Sequence, residues 1–288
     1  MARTVIDAHQ HFWDPAAADY PWMTGAFEPL RRAFGPSDLA PLLDTAGVTG
    51  TIAVQARQEV AETHDLLEMA AATDWIVGVV GWVDLTQDDV RETIDEIRDG
   101  DHGGRLVGMR HLVHDEPDPE WLLRHDVMRG LAAVADAGLV YDLLVRTREL
   151  PAATEVARRL PELRLVVDHL AKPPIASQSG EHWVSAIGEI ARLPNVTCKV
   201  SGLVTEADWA SWAAADVAPY VSTVVKMFGP DRLMWGSDWP VCTLAASYLQ
   251  VLEVAREVLA DEVGHDLASV LGQCAIATYG LDAERHPT

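Results

Sequence analysis

The stretch Val5-Ile6-Asp7-Ala8-His9-Gln10-His11 reads as a short apolar strand, Val5–His9, whose end carries two imidazoles. An open doubly wound sheet commonly follows its first strand with a Gly-rich phosphate-binding turn. Here no glycine follows, and chemistry-bearing side chains stand at the strand's C-terminal end, where a closed α/β barrel builds its site.

Outward from this strand, seven more short apolar, β-branched runs recur: Gly50–Gln55, Ile76–Val83, Leu106–Leu112, Val140–Val145, Leu163–His169, Asn195–Ser201 and Arg232–Ser237. Segments with helical spacing separate them: Glu62–Thr73, Asp88–Asp99, Met128–Ala137, Ala152–Leu160, Glu181–Leu193 and Ala213–Phe228, with Ala246–Glu257 and Asp266–Ala277 after the last run. Such alternation implies parallel strands joined by crossover helices. Eight strands in 288 residues, with no linker and no visible repeat, predict a single-domain (β/α)8 TIM barrel over residues 1–288. The segment Phe12–Asp38, rich in aromatics and proline, is longer than a usual βα loop and is expected either to shape the mouth or to pack on itself.

Forty-four acidic and 22 basic side chains give a formal charge of −22, which repels nucleic-acid backbones and anionic membranes and leaves a small molecule as the expected partner. Three scattered cysteines form no disulfide framework and fit a reducing compartment. Met1–Asp7 has no apolar leader core and no stretch is long and apolar enough for a membrane helix, so the expected location is cytoplasmic. A homo-oligomer is compatible with all of this.

Three strand ends carry chemistry. With strict alternation, His9 and His11 share a face, with Asp7 below them; two imidazoles so spaced converge on a cation or a substrate oxygen. Val166-Val167-Asp168-His169 closes the sixth strand. Trp235-Gly236-Ser237-Asp238-Trp239-Pro240 closes the eighth, which neighbours the first in a closed barrel, so Asp238 is expected beside His9 and His11, with Gly236 leaving room beneath its carboxylate. Asp238 then holds a metal, takes a proton from water, or does both. Structural histidines and a turn-capping aspartate are the plain alternatives. Arg57, Arg110 and His111 offer donors to carbonyl or carboxylate oxygens. Lys199, inside an apolar strand, is either the ion-pair partner of an inner carboxylate, the reading preferred here, or a substrate contact.

These motifs resemble the amidohydrolase superfamily (amidohydrolase family 2) in its sugar-lactonase branch. Val5–Trp13 is similar to its opening signature, Val166–Pro173 to its sixth-strand motif and Trp235–Val241 to its eighth. L-fuconolactonase-like proteins are resembled further in Ala18–Trp22, Val54–Arg57, Gly108–His111 and Cys198–Trp209. The resemblance implies a carbohydrate-metabolism hydrolase that opens L-fucono-lactone or a related aldono-lactone. Its core would be His9, His11, His169 and Asp238: Asp238 activates water, and His169, with His9 and His11 or an ion they hold, stabilises the oxyanion. Arg57, Arg110, His111 and Trp239 would grip the substrate. The fifth strand lacks the histidine of metal-rich members, so two metals are not expected. One divalent ion, zinc by preference, on His9, His11 and Asp238 is implied as compatible with the branch but not required for activity. Two alternatives share the barrel: a metal-dependent decarboxylase, and a hydrolase of an aromatic-pathway lactone such as a pyrone dicarboxylate.

Overall fold

The computed structural model describes residues 4–281; Met1–Arg3 of the leader reading lie outside them. Eight parallel strands run in chain order: β1 (Ile6–Gln10), β2 (Gly50–Val54), β3 (Ile76–Gly81), β4 (Leu106–His111), β5 (Val140–Leu143), β6 (Arg164–Val167), β7 (Val196–Val200) and β8 (Leu233–Trp235). The seam between β8 and β1 is closed by a parallel bridge, Gln10 to Trp239, with Asp238 N donating to His9 O (2.8 Å) and His11 N to Trp239 O (2.7 Å). The protein is a single-domain TIM barrel.

The helices are α1 (Pro36–Ala46), α2 (Val60–Ala71), α3 (Val90–Asp99), α4 (His125–Asp136), α5 (Leu150–Arg159), α6 (Glu181–Ala191), α7 (Ala214–Phe228), α8 (Tyr248–Val263) and α9 (Cys274–Tyr279). Helix α1 was not expected. Its signals are Pro36 at the first position, where a missing N–H costs nothing, and Gly47 at the left-handed C-cap. Among the described residues no helix is long and apolar enough to cross a membrane.

Packing divides the strands into two faces. Outward residues such as Tyr141, Leu165, Cys198 and Trp235 join the main core under the helices. Inward residues Ile6, Ile52, Val80, Val140, Val166 and Met234 fill the lower barrel with Tyr279 of α9. Above this apolar plug the inward positions turn polar: Arg110, Asp142, Asp168 and Lys199, all buried.

Strand β1 departs from alternation. Asp7 pairs with Thr51 but Gln10 with Ala53, so β1 holds one residue more than β2 over this span. The bulge lets Ala8 join the inner cluster while His9, its neighbour, also faces inward; bulges re-aim side chains in this way. Asp7 is therefore not beneath His9. It faces out and accepts from Ser237 N (2.8 Å) and the Tyr248 hydroxyl (3.0 Å), bolting β1 to the eighth strand's end and to α8. Burial pushes its carboxyl up to about 6 despite these donors.

Candidate active site

Seven strands end one or two residues earlier than the sequence suggests, and two of these departures place a site residue. Strand β6 stops at Val167, and His169, Leu170, Ala171 and Lys172 follow with φ of 52°, 53°, 57° and 50°. Left-handed backbone costs an L-residue on the order of 1–2 kcal/mol, so the run needs holding. Trp183 Nε1 donates to Leu170 O (2.6 Å), Lys172 N to His169 O (2.7 Å), and Lys172 Nζ pairs with Glu206 (2.6 Å). Strand β8 stops at Trp235, and Asp238 (φ 57°) turns its carboxylate into the mouth.

One Asp238 oxygen, Oδ1, then lies 3.5 Å from His11 Nε2, 3.9 Å from His9 Nε2 and 4.0 Å from His169 Nε2. Two glycines permit this. A Cβ at Gly202 (φ +62°) would stand 2.5 Å from His169 Nδ1, and one at Gly236 would stand 2.6 Å from His9 Cβ. The room left by Gly236 is thus for His9.

Beneath the imidazoles lies an ionic layer. Lys199 Nζ contacts Asp142 Oδ2 (2.5 Å) and Asp168 Oδ1 (3.0 Å), and the Tyr279 hydroxyl donates to Asp142 (2.8 Å). Lys199 is thus an ion-pair partner. Arg110 Nη1 pairs with Asp168 Oδ2 (3.0 Å), while its Nη2 donates to Gln55 O and to Gln55 Oε1. Burial alone would raise the Asp168 carboxyl, but Lys199, His9 and Arg110 hold it well below the ordinary range.

Donor and acceptor chemistry assigns the protons on two imidazoles. His11 Nδ1 lies 2.7 Å from Val54 O, which only accepts, so Nδ1 carries a proton. His9 Nε2 lies 3.2 Å from Arg110 Nη1, which only donates, while its Nδ1 lies 3.3 Å from Asp168 Oδ1 and 3.2 Å from Lys199 Nζ; the tautomer with its proton on Nδ1 satisfies Arg110 and Asp168 together and leaves Lys199 to its two carboxylates. Burial, with Lys199 adding to it, drives His9 well below the usual histidine range despite Asp168, and burial does the same to His169. His9 Nε2 and His11 Nε2 face each other at 3.1 Å beside a carboxylate. Burial works to raise the Asp238 carboxyl, yet His169 and His11 bring it below its ordinary value.

Above the cluster opens a cavity of about 300 Å3. One wall is aromatic: Trp13, Trp22 and Phe27 from the long first loop, anchored where Trp13 Nε1 donates to Leu30 O and Trp22 Nε1 to Ala56 O. The facing wall is polar, with His114, Asp115, Arg146 and Lys172. Of the four residues expected to grip a substrate, Arg110 lines the cavity. Arg57 instead pairs with Glu59 (2.9 Å) and Asp65. His111 stacks on Trp121 (4.2 Å between centroids), bonds Glu116 (2.7 Å) and does not line the cavity. Trp239 is buried against Phe12 and Phe34. His114 and Arg146 escaped the sequence reading: they stand on loops, where no periodicity marks the inward side.

A family model described as amidohydrolase matches residues 6–281. The L-fucono-1,5-lactonase of Burkholderia ambifaria is 43% identical over 243 residues, 84% of this chain and 82% of that protein. The L-fucono-1,5-lactonase of Burkholderia multivorans is 42% identical over 266 residues, 89% of this chain and 88% of its own. An amidohydrolase crystal structure from Burkholderia multivorans with bound zinc superposes with a TM-score of 0.92 at 39% identity, covering 97% of this chain and 100% of that one.

Proposed function

The chain belongs to the amidohydrolase family, and from that premise we infer that it is a hydrolase opening a sugar lactone. We propose L-fucono-lactone or a closely related aldono-lactone as its substrate. The observation that carries the reading is Asp238 Oδ1 ringed by three imidazoles on the floor of a cavity with one aromatic and one polar wall. Such a cavity suits a small ring with an apolar face and several hydroxyls.

The steps follow from the residues. Asp238 takes a proton from water as the water oxygen attacks the lactone carbonyl carbon. A lactone is an ester, so modest stabilisation of the oxyanion suffices. Neutral His9, with its lone pair on Nε2, cannot donate to an oxyanion from that atom. His169 is assigned this role in the tautomer that carries its proton on Nε2, with the Ser201 hydroxyl donating to Nδ1 across their 2.8 Å contact. Collapse breaks the bond from the carbonyl carbon to the ring oxygen, and Asp238 returns its proton to that oxygen. The product is an aldonic acid, which ionises.

The inner face fits one divalent cation. Two ring nitrogens able to offer lone pairs and a carboxylate oxygen converge, with separations of 3.1, 3.5 and 3.9 Å around the roughly 3.3 Å edge of a tetrahedron with bonds of about 2.05 Å. His9, His11 and Asp238 would hold the ion, zinc by preference, and a bound ion would supply Lewis-acid polarisation of the lactone carbonyl. Asp168 orients His9 through its Nδ1–H, as outer carboxylates commonly do for ligating histidines.

The test is proton release, followed with a pH indicator across a panel of aldono-lactones. Hydrolysis ranked highest for L-fucono-lactone or a near stereoisomer is expected. Asp238→Asn should abolish turnover while its thermal melt stays that of a folded barrel; near-normal activity in this variant overturns the base assignment.

A further inference from the structure

The cation site of His9, His11 and Asp238 has a built-in competitor. Arg110 Nη1 lies 3.2 Å from His9 Nε2, the lone pair that a metal ion would need. A guanidinium keeps its proton in proteins, so this contact has one polarity: Arg110 donates and His9 accepts. The donor is not there by chance of a mobile side chain. Arg110 is buried, Asp168 Oδ2 holds the same Nη1 at 3.0 Å, and Gln55 holds Nη2 through both its backbone and side-chain oxygens. Gln55 Nε2 in turn donates to Arg110 O (3.3 Å), so residue and tether lock each other.

We propose that Arg110 sets the protein's affinity for a divalent cation, by occupying the His9 lone pair and by placing a fixed positive charge beside the ligand set. Metal entry then requires that Nη1 release His9 while keeping Asp168, which the same nitrogen already contacts. The charge works in the same direction as the hydrogen bond, since like charges in a site with little water repel strongly. Removing Arg110 also leaves Asp168 bonded only to Lys199 and His9, which strengthens its hold on the His9 Nδ1 proton and makes Nε2 a better ligand.

The experiment is a zinc titration of metal-stripped full-length protein against a chromophoric chelator at fixed pH. Wild type is compared with Arg110→Gln, Arg110→Met and Arg110→Lys, and thermal melts report which are folded. The neutral variants should bind zinc at least tenfold more tightly than wild type, and R110K, which keeps the charge, should stay near it. Unchanged or weaker binding in a folded neutral variant overturns the proposal, as does equal tightening by R110K. If neither neutral variant folds, wild type decides alone: zinc must shift the 15N–H signals of the Arg110 guanidinium, and signals that do not move overturn it. The inference rests on the ligand set proposed above, not on which lactone is opened. Failure of wild type and every folded variant to bind zinc would sink that set, whereas equal binding by all would sink the competition alone.

Discussion

Replacing Gly236 by alanine tests whether barrel closure builds the site. The new methyl carbon would stand 2.6 Å from His9 Cβ, 3.0 Å from its backbone nitrogen and 3.3 Å from its Cα. Carbon atoms rest at about 3.5–4.0 Å, so β8 and β1 must part by about 1 Å at this point. Neither neighbour is a flexible tip, because His9 sits in a strand with Asp168, Arg110 and Lys199 around its ring. Overpacking of this kind costs about 1–3 kcal/mol, and for a chain of this length that lowers the melting temperature by only about 2–5 °C. Activity should suffer far more. Asp238 hangs from the same seam through its N–H to His9 O, and a displacement of about 1 Å in a reacting group costs on the order of 100-fold in rate. Gly104→Ala is the control, since a Cβ there meets nothing within 4 Å. The assays are a thermal melt and kcat/KM on the best lactone. Full activity in Gly236→Ala, or loss of stability with activity retained, refutes the argument that this contact sets the geometry.

Lys199→Met would strand Asp142 and Asp168 in the barrel interior without their shared ammonium; a loss of about 3–5 kcal/mol by urea unfolding is expected, and a loss under about 1 kcal/mol would show the pair to be dispensable. Glu62 supplies a pH dependence. Burial raises its carboxyl from 4.5 to about 7, against the Arg57 and Ala56 N–H groups that donate to it. The folded state then keeps a proton that the unfolded state loses at about 4.5, so this residue's contribution falls as pH climbs from about 4.5 to 7, by about 3 kcal/mol at most. Glu62→Gln removes that slope while keeping an acceptor for both N–H groups, so the variant should gain on wild type between pH 5 and 8 in urea midpoints; parallel curves would refute it.

The barrel was legible because its strands are buried on both faces and read as short apolar runs, with crossovers of helical period between them. Strand ends were less so. The end of the sixth strand looks extended through His169, yet the chain enters left-handed turns there, which tertiary contacts of Trp183 and Glu206 hold in place. The bulge in β1 carries no mark in a period-two pattern, and it overturns the placing of Asp7 under His9. One shortfall was avoidable. Arg110 and His111 are adjacent on a strand, so only one can face the axis; Arg110 does, and His111 turns out to Trp82, Trp121 and Glu116. Arg57 follows β2 but is drawn to acids at the start of α2, a competition that motif spacing does not encode.

The distribution of charge explains how one aspartate stays reactive among several. The buried core of the site holds three carboxylates, Asp142, Asp168 and Asp238, and two permanent cations, Lys199 and Arg110. Both cations are committed below the imidazoles: Lys199 to Asp142 and Asp168, Arg110 to Asp168. Asp238, placed on the far side of the seam, has only imidazoles within ion-pair distance among the described residues. A carboxylate bonded to a guanidinium or ammonium is a weak base, because protonation must break the pair. By leaving Asp238 to imidazoles instead of a guanidinium or an ammonium, the fold keeps one carboxylate available to water, while Lys199 and Arg110 fix the carboxylates beneath it.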